Sequence, residues 1–153
     1  MENVCYTFAM KKITIITVGT PQLSFTKDGI AEYMKRIGRF AQVDLIHVKE
    51  NKNTSGKILK LCDKKFCILL DEKGKQYSST ELADFLESKH SQSIDLVFVI
   101  GGPDGHEPEI RNIADDIWSL SRLTFPHDMA VLILIETLYR SLSINQGHPY
   151  HRV

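Results

Sequence analysis

The end of the chain carries its densest group of side chains with acid–base and anion-binding chemistry. Residues 147–152 read Gly-His-Pro-Tyr-His-Arg. The imidazole of His151 can accept or donate a proton, the phenol of Tyr150 can donate one, and the guanidinium of Arg152 matches a phosphate with its planar fork of donors. A terminus is ordinarily the least ordered part of a domain. These residues are therefore either an unused tail or part of a site, and Tyr150, His151 and Arg152 are the catalytic candidates.

The two histidines of this tail do not indicate a metal site. His148 and His151 have the spacing of a two-histidine metal motif, but a proline separates them and no carboxylate or thiol cluster accompanies them. Zinc sites in proteins use three or four protein ligands. The sequence therefore predicts no metal.

A glycine-rich turn follows a wholly apolar run. Leu96–Ile100 is apolar throughout, and Gly101–Gly105 reads Gly-Gly-Pro-Asp-Gly directly after it. In open α/β sheets ligands collect at the carboxyl ends of the strands, and glycines there allow the backbone to approach a ligand closely. The pattern matches neither a dinucleotide fingerprint nor a P-loop. A tight turn and a ligand loop are both consistent with it.

The segment Leu120–His127, which precedes the last helix, is a second candidate ligand loop. It carries hydroxyl groups at Ser121 and Thr124. Hydroxyls and free backbone groups ahead of a helix start suit a polar ligand. The alternative is a capped loop in which Thr124 caps the helix.

The last predicted helix runs from Pro126 to about Gln146 and is unusually apolar. Residues 129–135 are all apolar, so two turns of this helix have no solvated face. A helix of that kind is buried on all sides, either in the core or in a subunit interface. Glu136 and Arg140 stand one turn apart and are expected to pair.

Alternating strands and helices position these segments. Residue patterns predict strands at 12–18, 43–48, 66–70 and 96–100, a short segment at 118–120, helices at 26–39, 78–89 and 108–116, and a turn at 71–74. Strand–helix alternation implies an α/β fold, with a mainly parallel sheet and helices on both faces. The 153 residues contain no repeat or linker, which predicts one domain, residues 10–153, behind an N-terminal extension, residues 1–9.

Charge and cysteine content limit the classes of partner. Lysine plus arginine equal aspartate plus glutamate at 19 each, which argues against a broad nucleic-acid footprint but leaves room for a local basic patch. The lysine-rich residues 49–65 are either a solvated face or a phosphate-facing patch.

The three cysteines match no metal spacing, and no apolar run approaches the length of a membrane span. We expect free thiols in a cytoplasmic protein without membrane contact.

Several short motifs occur in one characteristic order. They are Lys12–Gly19, residues 32–37, residues 70–75, Phe98–Gly105, residues 118–121, residues 123–127, residues 136–140 and the ending His-Pro-Tyr-His-Arg. On these motifs the chain resembles the ribosomal RNA large subunit methyltransferase H family, of the SPOUT superfamily of trefoil-knotted methyltransferases. Each motif alone is weak evidence for this family, whereas the ordered set and the His-Pro-Tyr-His-Arg ending are specific to it. The resemblance covers residues 10–153.

The resemblance implies an α/β knot, in which a C-terminal trefoil knot gathers three distant backbone stretches into one pocket. It also implies a cytoplasmic homodimer that uses S-adenosylmethionine to methylate N3 of a pseudouridine in a stem-loop of 23S ribosomal RNA, on the assembled ribosome. Carried over position by position, the cofactor-binding residues are Leu70, Gly101, Leu120, Ser121, Arg122, Leu123, Thr124 and Phe125.

The methylated nitrogen loses a proton, which assigns expected roles to the tail. His151 and Tyr150 are expected near the base edge, Arg152 at a phosphate or a developing negative oxygen, and the tail is expected to complete the partner subunit's site.

Two positions depart from the family pattern, because Val131 stands where an arginine is usual and His106 where an apolar residue is common. The alternatives are a non-catalytic α/β module that binds a ligand or the ribosome, and a methyltransferase for another RNA such as tRNA.

Overall fold

Five strands form one parallel sheet, in which they lie in the order Ala41–Val48 (β2), Lys11–Val18 (β1), Leu96–Ile100 (β4), Phe66–Lys75 (β3) and Asp116–Trp118 (β5). The computed structural model describes residues 11–152, so the predicted extension, residues 1–9, lies outside the described residues. Ten elements alternate along the chain: β1 Lys11–Val18, α1 Ser24–Ile37, β2 Ala41–Val48, α2 Thr54–Cys62, β3 Phe66–Lys75, α3 Ser79–Ser91, β4 Leu96–Ile100, α4 Pro108–Ile113, β5 Asp116–Trp118 and α5 His127–Asn145. The predicted α/β fold with a mainly parallel sheet is confirmed.

Helices cover both faces of the sheet because the strands send buried side chains to both sides. Ile13 and Ile15 of β1 pack in a core with α1, α3 and α5, whereas Ile16 packs on the other face with α2 and α4. Phe98 of β4, at the centre of the sheet, is fully buried in the first core. The two cores fix the register of the strands and, with it, the relative positions of the loops at their carboxyl ends.

The predicted turn at residues 71–74 is wrong, since β3 continues to Lys75. Its pairing with β5 is irregular between Leu70 and Lys75, and Lys75 pairs with Trp118. Gly74 makes this crossing possible, because a Cβ there would lie 2.6 Å from the carbonyl oxygen of Ile117. The sequence suggested a turn because polar residues and a glycine follow each other there, and the close backbone approach is a tertiary feature.

Helix α5 is buried on one side and half-buried on the other. Val131, Leu134 and Leu138 are fully buried against the sheet core, whereas Ile133 and Thr137 are only half-buried. The core therefore accounts for the burial of the first stripe only, and burial of the second stripe in a subunit interface stays a prediction. Within residues 11–152, no helix is long and apolar enough to cross a membrane.

Candidate active site

A cleft of about 770 Å³ opens at the carboxyl ends of the central strands. Three backbone stretches line it: the end of β3, the turn after β4, and the loop between β5 and α5. Seven of the eight predicted cofactor residues lie on its wall, namely Leu70, Gly101, Leu120, Ser121, Leu123, Thr124 and Phe125. Arg122 is not among the lining residues. The sequence order separates these stretches by up to 55 positions, and the parallel sheet brings them to one edge.

The glycine turn after β4 is a closed hairpin-like turn. Gly102 and Gly105 form an isolated antiparallel bridge, and Gly105 takes the left-handed conformation with φ of 77°. Gly101 lies so close to this turn that a Cβ there would be 2.8 Å from the Gly105 carbonyl oxygen. The turn therefore requires glycine at Gly101 for space and at Gly105 for its backbone angle.

His106 joins this turn to the end of β3. Its Nε2 donates a hydrogen bond of 2.8 Å to the Leu70 carbonyl oxygen, and its Cε1 would be 3.3 Å from a Cβ at Gly101. Burial lowers the pKa of His106, so the ring is neutral near pH 7 and carries its proton on Nε2. His106 therefore links two predicted cofactor segments. Sequence reasoning noted it only as a departure from the family pattern.

The loop before α5 is held against the extension of β3. The Ser119 amide donates to the Lys75 carbonyl at 2.8 Å, and the Thr124 hydroxyl donates to Glu72 at 2.9 Å. Within the loop, the Leu123 amide donates to the Ser121 hydroxyl at 3.0 Å. Thr124 therefore does not cap α5, and the capped-loop alternative is wrong. These bonds position the loop as one wall of the cleft.

Two residues at the start of α5 have roles that the sequence analysis missed. The Asp128 carboxylate accepts hydrogen bonds from the amides of Gln22 and Leu23 at 2.6 and 2.7 Å, and these bonds lower its pKa. Asp128 thus supplies from α5 the cap that α1 lacks in its own sequence. His127 lines the cleft, and its Nε2 is buried with no hydrogen-bond partner among residues 11–152.

The C-terminal tail packs on its own subunit, away from the cleft. The Tyr150 hydroxyl lies 3.0 Å from the Tyr33 hydroxyl and donates to Glu136 at 2.9 Å. Arg140 forms the predicted ion pair with Glu136 at 2.5 Å. It also donates to Nδ1 of His151 at 3.4 Å. The tail is therefore a packed segment rather than a frayed end.

The cofactor candidates and the catalytic candidates are separated within one chain. None of residues 147–152 lines the cleft. Arg140, which contacts the tail, lies ten residues beyond Ala130 of the cleft wall, which is about 15 Å along α5. Arg152 is exposed. Val131, where the family usually has an arginine, is fully buried and presents nothing to a ligand.

An apolar surface surrounds the start of α5. Leu23, Phe25 and Leu123 expose 44%, 59% and 71% of their surface. On α5 itself, Ile133 and Thr137 are half-buried. Exposed apolar patches of this kind mark interaction sites.

A parallel α/β sheet whose carboxyl edge carries a glycine turn and a loop leading into a last apolar helix fits the class of knotted α/β methyltransferases. The sequence profile described as "Predicted SPOUT methyltransferase" matches residues 10–151. The chain belongs to this family, the SPOUT methyltransferases. It is 44% identical to the ribosomal RNA large subunit methyltransferase H of Deinococcus radiodurans, over 92% of this chain and 99% of that protein.

Solved structures share the fold at low sequence identity. A probable methylase family protein from Haemophilus influenzae superposes with a TM-score of 0.59 at 11% identity, covering 95% of this chain and 72% of that one. The SpoU methyltransferase AviRb from Streptomyces viridochromogenes, solved in complex with the cofactor AdoMet, gives a TM-score of 0.52 at 9% identity, covering 92% and 60% of the two chains. The predicted α/β knot is confirmed.

The residues of the cleft fit the cofactor that the family implies. A volume of about 770 Å³ lies in the range of pockets that hold ligands of this size. The walls combine apolar side chains such as Leu70 and Phe125 with the backbone of the glycine turn, where a side chain at Gly101 would fill the space. Leu70, Gly101 and the loop residues Leu120, Ser121, Leu123, Thr124 and Phe125 are the residues that would hold S-adenosylmethionine.

Proposed function

We propose that the protein methylates N3 of a pseudouridine in 23S ribosomal RNA, on the assembled ribosome in the cytoplasm, as a homodimer with S-adenosylmethionine as methyl donor. The observation that carries this proposal is the 44% identity, over nearly the whole length, to a protein named ribosomal RNA large subunit methyltransferase H. The catalytic unit is the single domain of residues 10–153, and residues 1–9 precede it.

The bound cofactor supplies an electrophilic methyl group on a sulfonium. The protein holds the acceptor nitrogen in line with that group and assists the loss of the N3 proton. In each subunit the tail contacts α5 at Glu136 and Arg140, about 9 and 15 Å along the helix from Ala130 of the cleft wall, whereas reacting atoms must lie about 3 to 3.5 Å apart. A tail and a cleft of the same subunit therefore do not form one site in this arrangement.

Pairing of two subunits through α5 resolves this separation. In a two-fold pairing of antiparallel helices, the carboxyl end of one α5 lies beside the start of the other. The start of α5 lines the cleft, and the tail packs near its carboxyl end. The exposed Leu23, Phe25 and Leu123 and the half-buried stripe of α5 supply an apolar surface for this pairing. We infer that the tail of each subunit completes the cleft of its partner.

The hydrogen bonds of the tail residues indicate a different role for each of them. Burial, the neighbouring Tyr33 hydroxyl and the Glu136 carboxylate raise the pKa of Tyr150, so it stays protonated and serves as a positioning residue rather than the base. Arg140 donates to Nδ1 of His151, which leaves the proton of the neutral ring on Nε2. The Nε2–H of His151 and the guanidinium of Arg152 then stabilise the negative oxygen that forms as N3 releases its proton to solvent water.

Deletion of residues 148–153 tests the role of the tail. We expect the truncated protein to retain S-adenosylmethionine affinity, measured by calorimetry, and to lose methylation of ribosomes by roughly 100-fold or more. Mass mapping of the modified nucleoside identifies the position, and parallel assays on free stem-loop RNA and tRNA test the alternative substrates. Unchanged methylation would remove the tail from the mechanism, and cofactor binding without transfer to any of these RNAs would favour a non-catalytic module.

A mixed dimer tests whether the tail acts across the interface. One chain carries Gly101→Ala in the cleft with an intact tail, and the other is truncated after Gly147 with an intact cleft. If the tail acts on the partner, co-expression forms one complete site per mixed dimer and restores activity that neither chain has alone. No restoration in purified mixed dimers would place the tail on its own cleft.

A further inference from the structure

Positive charge is concentrated in one segment of a chain that is neutral as a whole. Residues 49–65 hold six lysines against two acidic residues, a net charge of +4, and the rest of the chain therefore carries −4. The proposed function leaves this segment unused. Its five exposed lysines are termed the lysine face: Lys49, Lys52, Lys57, Lys60 and Lys64.

The structure directs these side chains to solvent and leaves their charges available. Helix α2 buries Ile58 and Cys62 against the sheet, so Lys57 and Lys60, one turn apart, lie on its opposite side. No carboxylate of residues 11–152 lies within ion-pair distance of any lysine of this face. The sixth lysine, Lys65, differs, because it is half-buried and reaches the Thr14 hydroxyl at 3.5 Å.

The lysine face borders the cleft and stays open in the proposed dimer. Helix α2 covers the face of the sheet opposite α1 and α5, so pairing through α5 leaves it uncovered. Lys49 and Lys52 follow the carboxyl end of β2, at the edge where the cleft opens. Between them, the Glu50 carboxylate would lie 3.6 Å from a Cβ at Gly102, which lines the cleft.

Acidic residues on the neighbouring helix limit the direction from which a polyanion can approach. Asp104, Glu107 and Glu109 are exposed at and before α4, which packs beside α2. Like charge repels a phosphate backbone from that side. The path open to a polyanion therefore runs along α2 toward the cleft.

We propose that the lysine face binds the phosphate backbone of the RNA stem next to the methylated nucleotide. This inference rests on the proposed function and names the part of the surface that holds the substrate. Lysine suits the task because its ammonium is a point charge that contacts phosphates without reading sequence. A protein that is neutral overall thus obtains its RNA affinity from one local face, with the ribosome supplying the remaining shape recognition.

Charge neutralisation on α2 tests this assignment. The double variant Lys57→Gln/Lys60→Gln is compared with Ser88→Glu/Gln92→Glu, which lowers the net charge equally at exposed positions in and directly after α3, on the opposite face of the sheet. Methylation of ribosomes is measured as kcat/KM across a salt series, with S-adenosylmethionine affinity and Tm as controls. We expect the α2 variant to lose roughly 2- to 30-fold in kcat/KM at low salt. The slope of log kcat/KM against log salt concentration should become shallower by about 0.7 to 0.9 for each lysine removed. Cofactor affinity and Tm should be unchanged.

The outcomes separate this inference from the proposed function. Equal losses in both variants, or an α2 variant with wild-type kcat/KM and salt slope, would overturn the lysine face as the RNA contact. A photo-cross-linking amino acid substituted for Lys60 gives an independent reading: cross-links to 23S RNA support the inference, and cross-links to ribosomal proteins alone overturn it. If the wild-type protein methylates no ribosomal RNA, the proposed function fails, and the cross-link at position 60 still decides whether this face binds RNA.

Discussion

A single methyl group added at Gly101 should disable the cleft while leaving the rest of the fold intact. In Gly101→Ala the new Cβ would stand 2.8 Å from the Gly105 carbonyl oxygen and 3.0 Å from its carbonyl carbon. Both contacts are with backbone atoms, so no side-chain rotation relieves them. The turn from Gly102 to Gly105 must open, and it carries His106, whose bond to Leu70 joins two walls of the cleft.

The free-energy cost of Gly101→Ala follows from the overlap of the new Cβ with the Gly105 carbonyl group. Ordinary contacts of a Cβ begin at about 3.4 Å, so the turn must move by about 0.6 Å. Overpacking of this kind costs about 1 to 3 kcal/mol. If the closed turn holds the cofactor as proposed and bears that cost, S-adenosylmethionine affinity drops roughly 5- to 150-fold.

Isothermal titration calorimetry with S-adenosylmethionine measures the effect, and urea unfolding measures the stability. Gly56→Ala is the matched control, because nothing lies within 4 Å of a Cβ at that helical position. The control should bind the cofactor normally and be as stable as the wild type or more so. A Gly101→Ala protein with affinity within twofold of wild type would refute the role of the turn as a cofactor wall.

Substitutions at three further residues test the contacts that hold the cleft and the strands and helices around it. His106→Leu should weaken S-adenosylmethionine binding roughly 2- to 12-fold through the lost bond to Leu70, and His106→Gln, which keeps a donor, should recover most of it in the same titration. Asp128→Ala should lower the free energy of unfolding by about 2 to 4 kcal/mol at pH 7, because the amides of Gln22 and Leu23 lose a carboxylate. Since the pKa of Asp128 is lowered in the folded state, its contribution is complete above about pH 4 and is lost as the pH falls, so the two proteins should converge in acidic urea melts. Gly74→Ala should cost about 1 to 3 kcal/mol in the same melts, because its Cβ would meet the backbone at Ile117; a neutral effect would mean that the β3–β5 crossing is loose.

Local signals in the sequence were sufficient for most elements. The capping box at Ser78 and Glu81 begins α3 where it was predicted, because both of its hydrogen bonds are made between residues three apart. Gly147 ends the last helix with φ of 66°, which only glycine adopts without strain. The ion pair of Glu136 and Arg140 likewise depends on spacing along one helix. Local patterns also marked the glycine turn and the loop before α5 as candidate ligand loops, and the family motifs added the knot and Leu70.

The sequence did not predict the contacts between residues that are far apart in the chain. Asp128 has the appearance of an ordinary first-turn carboxylate, and its role as the cap of α1 depends on packing across more than 100 positions. His106 appeared as a mismatch to the family, and only the structure places its Nε2 on the carbonyl of Leu70. The apparent turn at 71–74 is strand because β5 passes directly beneath Gly74.

By itself, then, the sequence determined the α/β fold and the parallel sheet and supplied candidate residues for methyl transfer, because periodicity, capping and motif order depend on neighbours along the chain. Only the tertiary structure decided that Leu70, Gly101 and most of the loop 120–125 share one cleft and that the tail of the same chain lies apart from it. The physical reason is that the sheet edge and the packing of α5 set these distances through contacts between residues far apart in the chain.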